Sequence, residues 1–217
     1  MIVARNNFAT AESLAQRLAV NVASGLRQAI AGSGKATLAV SGGTTPQKFF
    51  EHLSQQKLNW EQVIITLIDE RQVDEASPRS NARLVKAALI QHEAMQAQFV
   101  PLFQNPAAAD LPNFDVAILG MGDDGHTASF FPGGDNLVEA LSDAAPALLT
   151  ISAPGSGEPR ITFSLAKILS SCEIILHIQD ADKAATLEKA LGAGDVLDMP
   201  VRAVLRSPKQ IEVYWCP

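Results

Sequence analysis

The stretch FDVAILGMGDDGHTAS, residues 114–129, decides the fold of this chain, because an apolar run passes directly into glycines and then into acidic, imidazole and hydroxyl side chains. Residues 116–119 are apolar and partly β-branched, which is typical of a buried parallel strand. The glycines that follow permit tight turns. His126 is therefore expected at the carboxyl end of a strand, where open α/β sheets form their ligand crevice. Histidine, with an ordinary pKa near ~6.5, suits proton transfer there; a purely structural histidine is the alternative.

A second strand ends in a glycine-rich loop at residues 36–46, ATLAVSGGTTP. The segment after it has the apolar spacing of an amphipathic helix, with Pro46 in its first turn and Thr44 or Thr45 as its cap. Backbone N–H groups at such a helix start favour an anion, phosphate above all. The loop lacks the Gly-Lys-Ser/Thr ending of a Walker loop and the dinucleotide fingerprint. A simple capped turn is the alternative.

A third apolar run, residues 63–68, is followed by three consecutive charges, Asp69, Glu70 and Arg71. Either acidic residue is a candidate base or positioning group. Arg71 is a candidate to hold an anionic substrate or a developing oxyanion. For this triplet alone a solvated ion pair is the better explanation, but three strands with polar ends in one chain favour a shared site.

Strand and helix patterns alternate along the chain and predict one α/β domain over residues 1–217, with a mostly parallel, Rossmann-like sheet and helices on both faces. Predicted helices cover about 9–30, 46–56, 81–91, 165–170 and 182–191. Further strands are expected near 99 and at 147–152, 160–163, 174–178, 201–205 and 211–215. Residues 132–143 are expected to be irregular, and residues 154–159 form a loop that is either a mobile edge of the pocket or a plain turn.

Composition agrees with a soluble enzyme without identifying its activity, and the small number of cysteines favours a reducing cytoplasm. The chain has 217 residues, 47% of them hydrophobic, and a net charge of −6, which does not favour nucleic-acid binding. Two cysteines do not make a disulfide framework. No apolar stretch is long enough to span a membrane, and residues 1–7 lack the core of a signal peptide. An anionic substrate then needs local cations, for which Arg71, Arg160, Lys183 and Arg206 are candidates. The oligomeric state is left open.

The motifs together resemble the 6-phosphogluconolactonase family. They are Ser41–Pro46, Asp69–Arg71 with Ser80 and Asn81, Gly120–Pro132, Arg160–Thr162, and Asp182 with Lys183. The related glucosamine-6-phosphate deaminases share the glycine loop and an Asp-Gly-His block, and the resemblance implies their fold. They carry a glutamate shortly after the histidine, where this chain reads Ser129-Phe-Phe-Pro-Gly-Gly134. That difference argues against a deaminase.

The resemblance implies hydrolysis of 6-phospho-D-glucono-1,5-lactone, a phosphorylated sugar lactone, to 6-phosphogluconate. His126 is then the proton-transfer residue and Asp124 orients it, while Arg71 and Asp69 complete the expected catalytic set. The expected phosphate site comprises Gly42, Gly43, Thr44, Thr45, Arg160 and Lys183. A deaminase-type enzyme and a non-catalytic sugar-phosphate sensor are the alternatives.

Neither a cofactor nor a metal is expected. Asp123, Asp124 and His126 lie close together in the sequence, but no second histidine stands at ligand spacing. The resembled family also works without a metal.

Overall fold

Short apolar segments form the central sheet of the molecule. The computed structural model describes residues 3–154 and 156–217; Gly155 of the predicted 154–159 loop and the first two residues of the 1–7 segment lie outside these ranges. The strands there are β1 (Val3–Asn7), β2 (Ala36–Val40), β3 (Val63–Leu67), β4 (Asp69–Arg71), β5 (Gln98–Val100), β6 (Val116–Leu119), β7 (Leu148–Ile151), β8 (Arg160–Phe163), β9 (Glu173–Gln179) and β10 (Ile211–Cys216).

Helices connect these strands and pack on the sheet. They are α1 (Ala11–Ser33), α2 (Gln47–Ser54), α3 (Asn81–Ala88), α4 (Leu137–Ala140), α5 (Leu165–Leu169), α6 (Ala181–Leu191) and α7 (Val201–Leu205), with 3₁₀ turns at Trp60–Gln62, His92–Gln96 and Pro106–Asp110. Helix α1 packs on β2, β6 and β10, while α6 packs on β9. Among the described residues, no helix is both long and apolar enough to cross a membrane.

The main sheet places two of the predicted loops side by side. Within the described ranges its order is β1-β10-β9-β6-β2-β3-β5, and neighbouring strands run parallel. From β2 the chain builds towards β3 and β5, whereas from β6 it builds towards β9 and β10. The strand order therefore switches direction between β2 and β6, whose carboxyl ends lead into the glycine loop and the His126 loop. Such a switch point is where open α/β sheets bind ligands.

The charged triplet at residues 69–71 lies in a second sheet, which the sequence did not predict. Strand β3 ends at Leu67, and β4 pairs antiparallel with β8, which in turn pairs with β7. Ile68 joins the two sheets, because its N–H donates to Val40 of β2 and its carbonyl accepts from Phe163 of β8. The expectation of one strand ending in three charges is therefore wrong in this detail. Its consequence is that Arg71 lies directly opposite Arg160.

Two other predicted elements are wrong. Residues 201–205 form α7 instead of a strand, because Pro200 occupies the helix-compatible N-cap position with φ −61°. A five-residue apolar run does not by itself distinguish a buried helix from a strand. Residues 132–143, expected to be irregular, contain the single turn α4.

Candidate active site

A cavity of about 410 Å³ opens at the carboxyl ends of β2, β6 and β9. All of the predicted site residues except Asp124 contribute to its wall: Gly42, Gly43, Thr44, Thr45, Asp69, Arg71, His126, Arg160 and Lys183. The fold therefore brings these residues around one cavity, although the first and last of them, Gly42 and Lys183, are 141 positions apart in the sequence. Asp124 lies behind His126, where it contacts the imidazole.

The imidazole of His126 is held by the carboxylate of Asp124. Its Nδ1 lies 2.6 Å from Asp124 Oδ1, and the same oxygen accepts the backbone N–H of His126 at 3.0 Å. Burial opposes ionisation of Asp124, but the bonds from His126 outweigh burial and lower the pKa of the carboxyl to about 2. An ionised Asp124 accepts the Nδ1 proton, so the lone pair of neutral His126 lies on Nε2.

Glycines give the His126 loop its shape. The N–H of Gly122 donates to the carbonyl of His126, and the N–H of Gly125, at φ +79°, donates to the carbonyl of Gly122. A Cβ atom at Gly122 would lie 2.1 Å from His126 Nδ1 and 2.6 Å from Asp124 Oδ1. The position is therefore open to glycine alone unless the imidazole moves. On its other side the ring packs against Phe131, with the ring centroids 4.3 Å apart.

The glycine loop borders the cavity at the start of α2. Gly42 lies against Asn81, since a Cβ there would come within 2.0 Å of the amide oxygen, and Gly43 has φ +92°. Pro46 occupies the N-cap position of α2 without a side-chain capping bond. The prediction that Thr44 or Thr45 caps this helix is therefore wrong, while the prediction that both threonines lie beside the ligand space agrees with the cavity wall.

Two arginines and a carboxylate occupy the side of the cavity formed by the second sheet. Arg160 is only 8% exposed, donates to the carbonyl of Ser156 and lies over the ring of Phe131. Burial lowers its pKa, and the nearby Asp69 opposes that shift. Asp69 accepts a hydrogen bond from Ser129, and Arg71 donates to the carbonyl of Arg79 at 2.6 Å.

Glu70 has a structural role at the start of α3. Its carboxylate accepts backbone N–H bonds from Arg71, Asn81 and Ala82 and a hydroxyl bond from Ser80. Burial raises the pKa of Glu70, and these donors partly offset the shift. Of the two acidic residues considered as a base, only Asp69 lies in the cavity wall.

Lys183 extends from the first turn of α6 into the cavity wall. Its Nζ forms an ion pair with Asp123 at 2.7 Å, while its backbone N–H donates to the capping carboxylate of Asp180. Arg206, the fourth predicted cation, lies elsewhere. Its guanidinium donates to the carbonyls of Gly192 and Gly194, and it does not line the cavity.

Sequence reasoning missed His177 and Gln179, which the end of β9 adds to the cavity wall. His177 is 3% exposed, and burial lowers its pKa to about 4. Its ring packs edge-on to Phe49. Both residues lie at the carboxyl end of an apolar strand, two positions apart and therefore on one face. That placement was a usable signal, but the position of β9 beside β6 is not visible in the sequence.

No group of three or more histidine, cysteine or acidic side chains has a metal-binding arrangement within residues 3–154 and 156–217.

The fold and the cavity define an α/β enzyme whose site lies at the switch point of a parallel sheet. A family model described as glucosamine-6-phosphate isomerases/6-phosphogluconolactonase matches residues 9–215. The chain belongs to this family, which confirms the predicted resemblance.

Relatives of similar length are named 6-phosphogluconolactonase. The one from Rhizobium meliloti is 44% identical over 97% of each chain, and the one from Mesorhizobium japonicum is 47% identical over 98% of this chain and 94% of its own. A crystal structure of a 6-phosphogluconolactonase from Shewanella baltica superimposes with a TM-score of 0.95 at 39% identity, covering 99% of this chain and 98% of that one. The predicted α/β fold is therefore confirmed as well.

Proposed function

We propose that this chain hydrolyses 6-phospho-D-glucono-1,5-lactone to 6-phosphogluconate, with His126 as the proton-transfer residue. The observation that carries the proposal is the His126–Asp124 pair in the same cavity as the glycine loop and Lys183. The cavity wall thus offers both a base and donors for a phosphate group. The names of the full-length relatives support the same activity.

His126 begins the reaction as a general base. Its Nε2 accepts a proton from a water molecule while that water attacks the C1 carbonyl carbon of the lactone. Asp124 holds the Nδ1 proton and stabilises the imidazolium that forms. The negative charge that develops on the carbonyl oxygen is stabilised by Arg71. Collapse of the tetrahedral intermediate breaks the bond from C1 to the ring oxygen, and the imidazolium returns its proton to that oxygen.

The phosphate positions the lactone for this attack. Its oxygens accept hydrogen bonds from the backbone N–H groups of the Gly42–Thr45 loop and from the hydroxyls of the two threonines. These donors lie at the positive end of the α2 dipole. Lys183 and Arg160 add positive charge to the cavity. Binding energy from this non-reacting group holds the carbonyl near His126 and so lowers the entropic part of the barrier.

The proposal treats residues 1–217 as one lactonase domain that acts in the cytoplasm on a small molecule and binds no nucleic acid. Support comes from the family match over residues 9–215, the net charge of −6 and the two free cysteines, Cys172 and Cys216.

A lactonase assay with His126→Asn tests the proposal. The rate of lactone hydrolysis is measured with spontaneous hydrolysis subtracted at each pH. The variant should fold and lose on the order of 10²–10⁴-fold in kcat, the usual contribution of general acid–base catalysis. In the unmutated enzyme kcat/KM should fall in acid, because a protonated imidazole cannot accept a proton from water.

His92→Asn is the matched control. His92 is exposed and has φ +46°, a backbone conformation that asparagine accepts well. Its activity should equal that of the unmutated enzyme. Near-normal turnover by folded His126→Asn would remove His126 from the mechanism and make Asp69 the next base to test. Release of ammonia from glucosamine 6-phosphate would instead identify a deaminase.

A further inference from the structure

Lys183 already has an anionic partner at the edge of the cavity. Its ammonium group lies 2.7 Å from the carboxylate of Asp123. The lysine side chain is 20% exposed and that of Asp123 is 78% exposed, so the carboxylate approaches the ammonium group from the solvent side. Asp123 thus occupies one of the directions in which Lys183 can donate.

The backbone of Asp123 is also tied to α6. Its carbonyl accepts a hydrogen bond from the hydroxyl of Thr186, one turn beyond Lys183. This second contact keeps the carboxylate near the ammonium group after the ion pair opens. Asp123 also immediately precedes Asp124, the partner of His126.

We infer that Asp123 is a specificity-determining residue that competes with the phosphate group of the ligand for Lys183. The inference rests on the phosphate site of the proposed function. A phosphate monoester carries a charge of about −1.5 to −2 at pH 7 and three strong acceptor oxygens, whereas a carboxylate carries −1. The phosphate therefore displaces Asp123, while a ligand of lower charge gains less from doing so.

The weakness of the ion pair makes this exchange possible. Exposed ion pairs contribute little to stability, because water screens the charges and two long side chains must be held in one geometry. Displacement of Asp123 therefore reduces phosphate affinity only modestly. Return of the carboxylate to Lys183 then favours the release of any phosphorylated product.

Four variants test the inference: Asp123→Asn, Asp182→Asn, Lys183→Ala and the double variant Asp123→Asn/Lys183→Ala. Asp182 is the matched control, since it is an exposed carboxylate in the first turn of the same helix. The dissociation constant of inorganic phosphate is measured for each by NMR titration at low ionic strength, and thermal melting verifies folding. KM for the phosphorylated lactone is measured in parallel.

Asp123→Asn should bind inorganic phosphate about two- to five-fold more tightly, the factor that corresponds to an exposed ion pair. KM should fall by a similar factor. Asp182→Asn should change the dissociation constant less. In the Lys183→Ala background, Asp123→Asn should have no effect, because the group for which the carboxylate competes is gone.

Unchanged or weaker phosphate binding by Asp123→Asn overturns the inference. So does a gain that persists without Lys183, which would reflect only a general loss of negative charge. If Lys183→Ala itself binds phosphate as tightly as the unmutated enzyme, the phosphate site of the proposed function fails too. If Lys183→Ala weakens binding but Asp123→Asn changes nothing, only the role of Asp123 fails.

Discussion

At the scale of single residues, the position of the proposed base depends on a missing side chain. Gly122 adopts a backbone conformation outside the left-handed region, so alanine is sterically acceptable to its main chain. The restriction comes from the imidazole, because a Cβ atom would lie 2.1 Å from His126 Nδ1. The glycine is needed for the site and not for the turn.

Gly122→Ala should therefore fold normally and lose activity. The methyl group displaces the imidazole from Asp124, and a misplacement of about 1 Å can reduce a rate on the order of 10²-fold. Binding of inorganic phosphate should persist, because the glycine loop is untouched. Steady-state kinetics and a phosphate titration check both parts.

Gly32→Ala serves as the control for Gly122→Ala, since a Cβ there meets nothing within 4 Å. Full activity of Gly122→Ala would show that the observed contact between His126 and Asp124 is not required for turnover.

Most of the residues around the cavity were predictable at this scale, while part of its wall was not. The His126 loop and the glycine loop follow the apolar strands β6 and β2, so local sequence places them at strand ends. Asp69, by contrast, lies in the short strand β4 of the second sheet. The sequence places His177 near the carboxyl end of an apolar strand, but its place in the cavity depends on β9 lying beside β6. Contacts between strands that are distant in sequence carry no local signal.

At the scale of elements, Glu70 joins the short second sheet to the start of α3. Three backbone N–H groups and the Ser80 hydroxyl donate to one carboxylate that is 1% exposed. Acidic groups at a helix start are favoured by the unpaired donors and the helix dipole. The same helix start presents Asn81 to Gly42, so Glu70 supports the glycine loop indirectly.

Glu70→Gln should reduce the free energy of unfolding by about 1–3 kcal/mol. The amide NH₂ group that replaces one carboxylate oxygen cannot accept hydrogen bonds from the surrounding donors, which are then left unpaired. Chemical unfolding monitored by circular dichroism measures the change. The exposed Glu75, which pairs with Lys86, provides the control substitution Glu75→Gln, expected to change stability by less than about 0.5 kcal/mol. Equal stability of the two variants would contradict the anchoring role of Glu70.

The elements also show where sequence patterns stop being informative. The alternation of strands and helices predicted the parallel sheet, because the spacing of apolar residues identified most segments as either helix or strand. The run at 201–205 was assigned the wrong type, and the break at Ile68 was missed because residues 63–68 are apolar apart from Thr66 and contain no turn residue. In both places the structure is decided by neighbours: Pro200 begins the helix, and pairing with β8 separates β4 from β3.

At the scale of the whole molecule, the buried imidazole of His177 links folding to pH. Burial lowers the pKa of His177 to about 4, against about 6.5 in an unfolded chain. Between these values the unfolded state binds the additional proton, so the folded state loses stability as the pH falls from about 6.5 to about 4. Below that window no further loss comes from this group.

His177→Gln should remove this part of the pH dependence. The difference in unfolding free energy between the variant and the unmutated protein should shift by about 3 kcal/mol in favour of the variant between pH 7 and pH 4. Denaturant unfolding at several pH values measures the shift, with His92→Gln as the control for loss of an exposed histidine. If the free energy of unfolding had the same pH dependence in His177→Gln and the unmutated protein, His177 would not be a neutral, buried imidazole.

The pairing of β2 with β6 also fixes the distance between two of the loops that border the cavity. Under the proposed function the loops that follow these strands contact the two ends of the substrate, and backbone hydrogen bonds fix neighbouring strands about 4.8 Å apart. The distance from the phosphate group to the carbonyl then depends on the backbone of the sheet as well as on the side chains that contact the substrate. We therefore expect a phosphorylated lactone with one carbon fewer between these groups to be hydrolysed more slowly, because it cannot contact both loops at once.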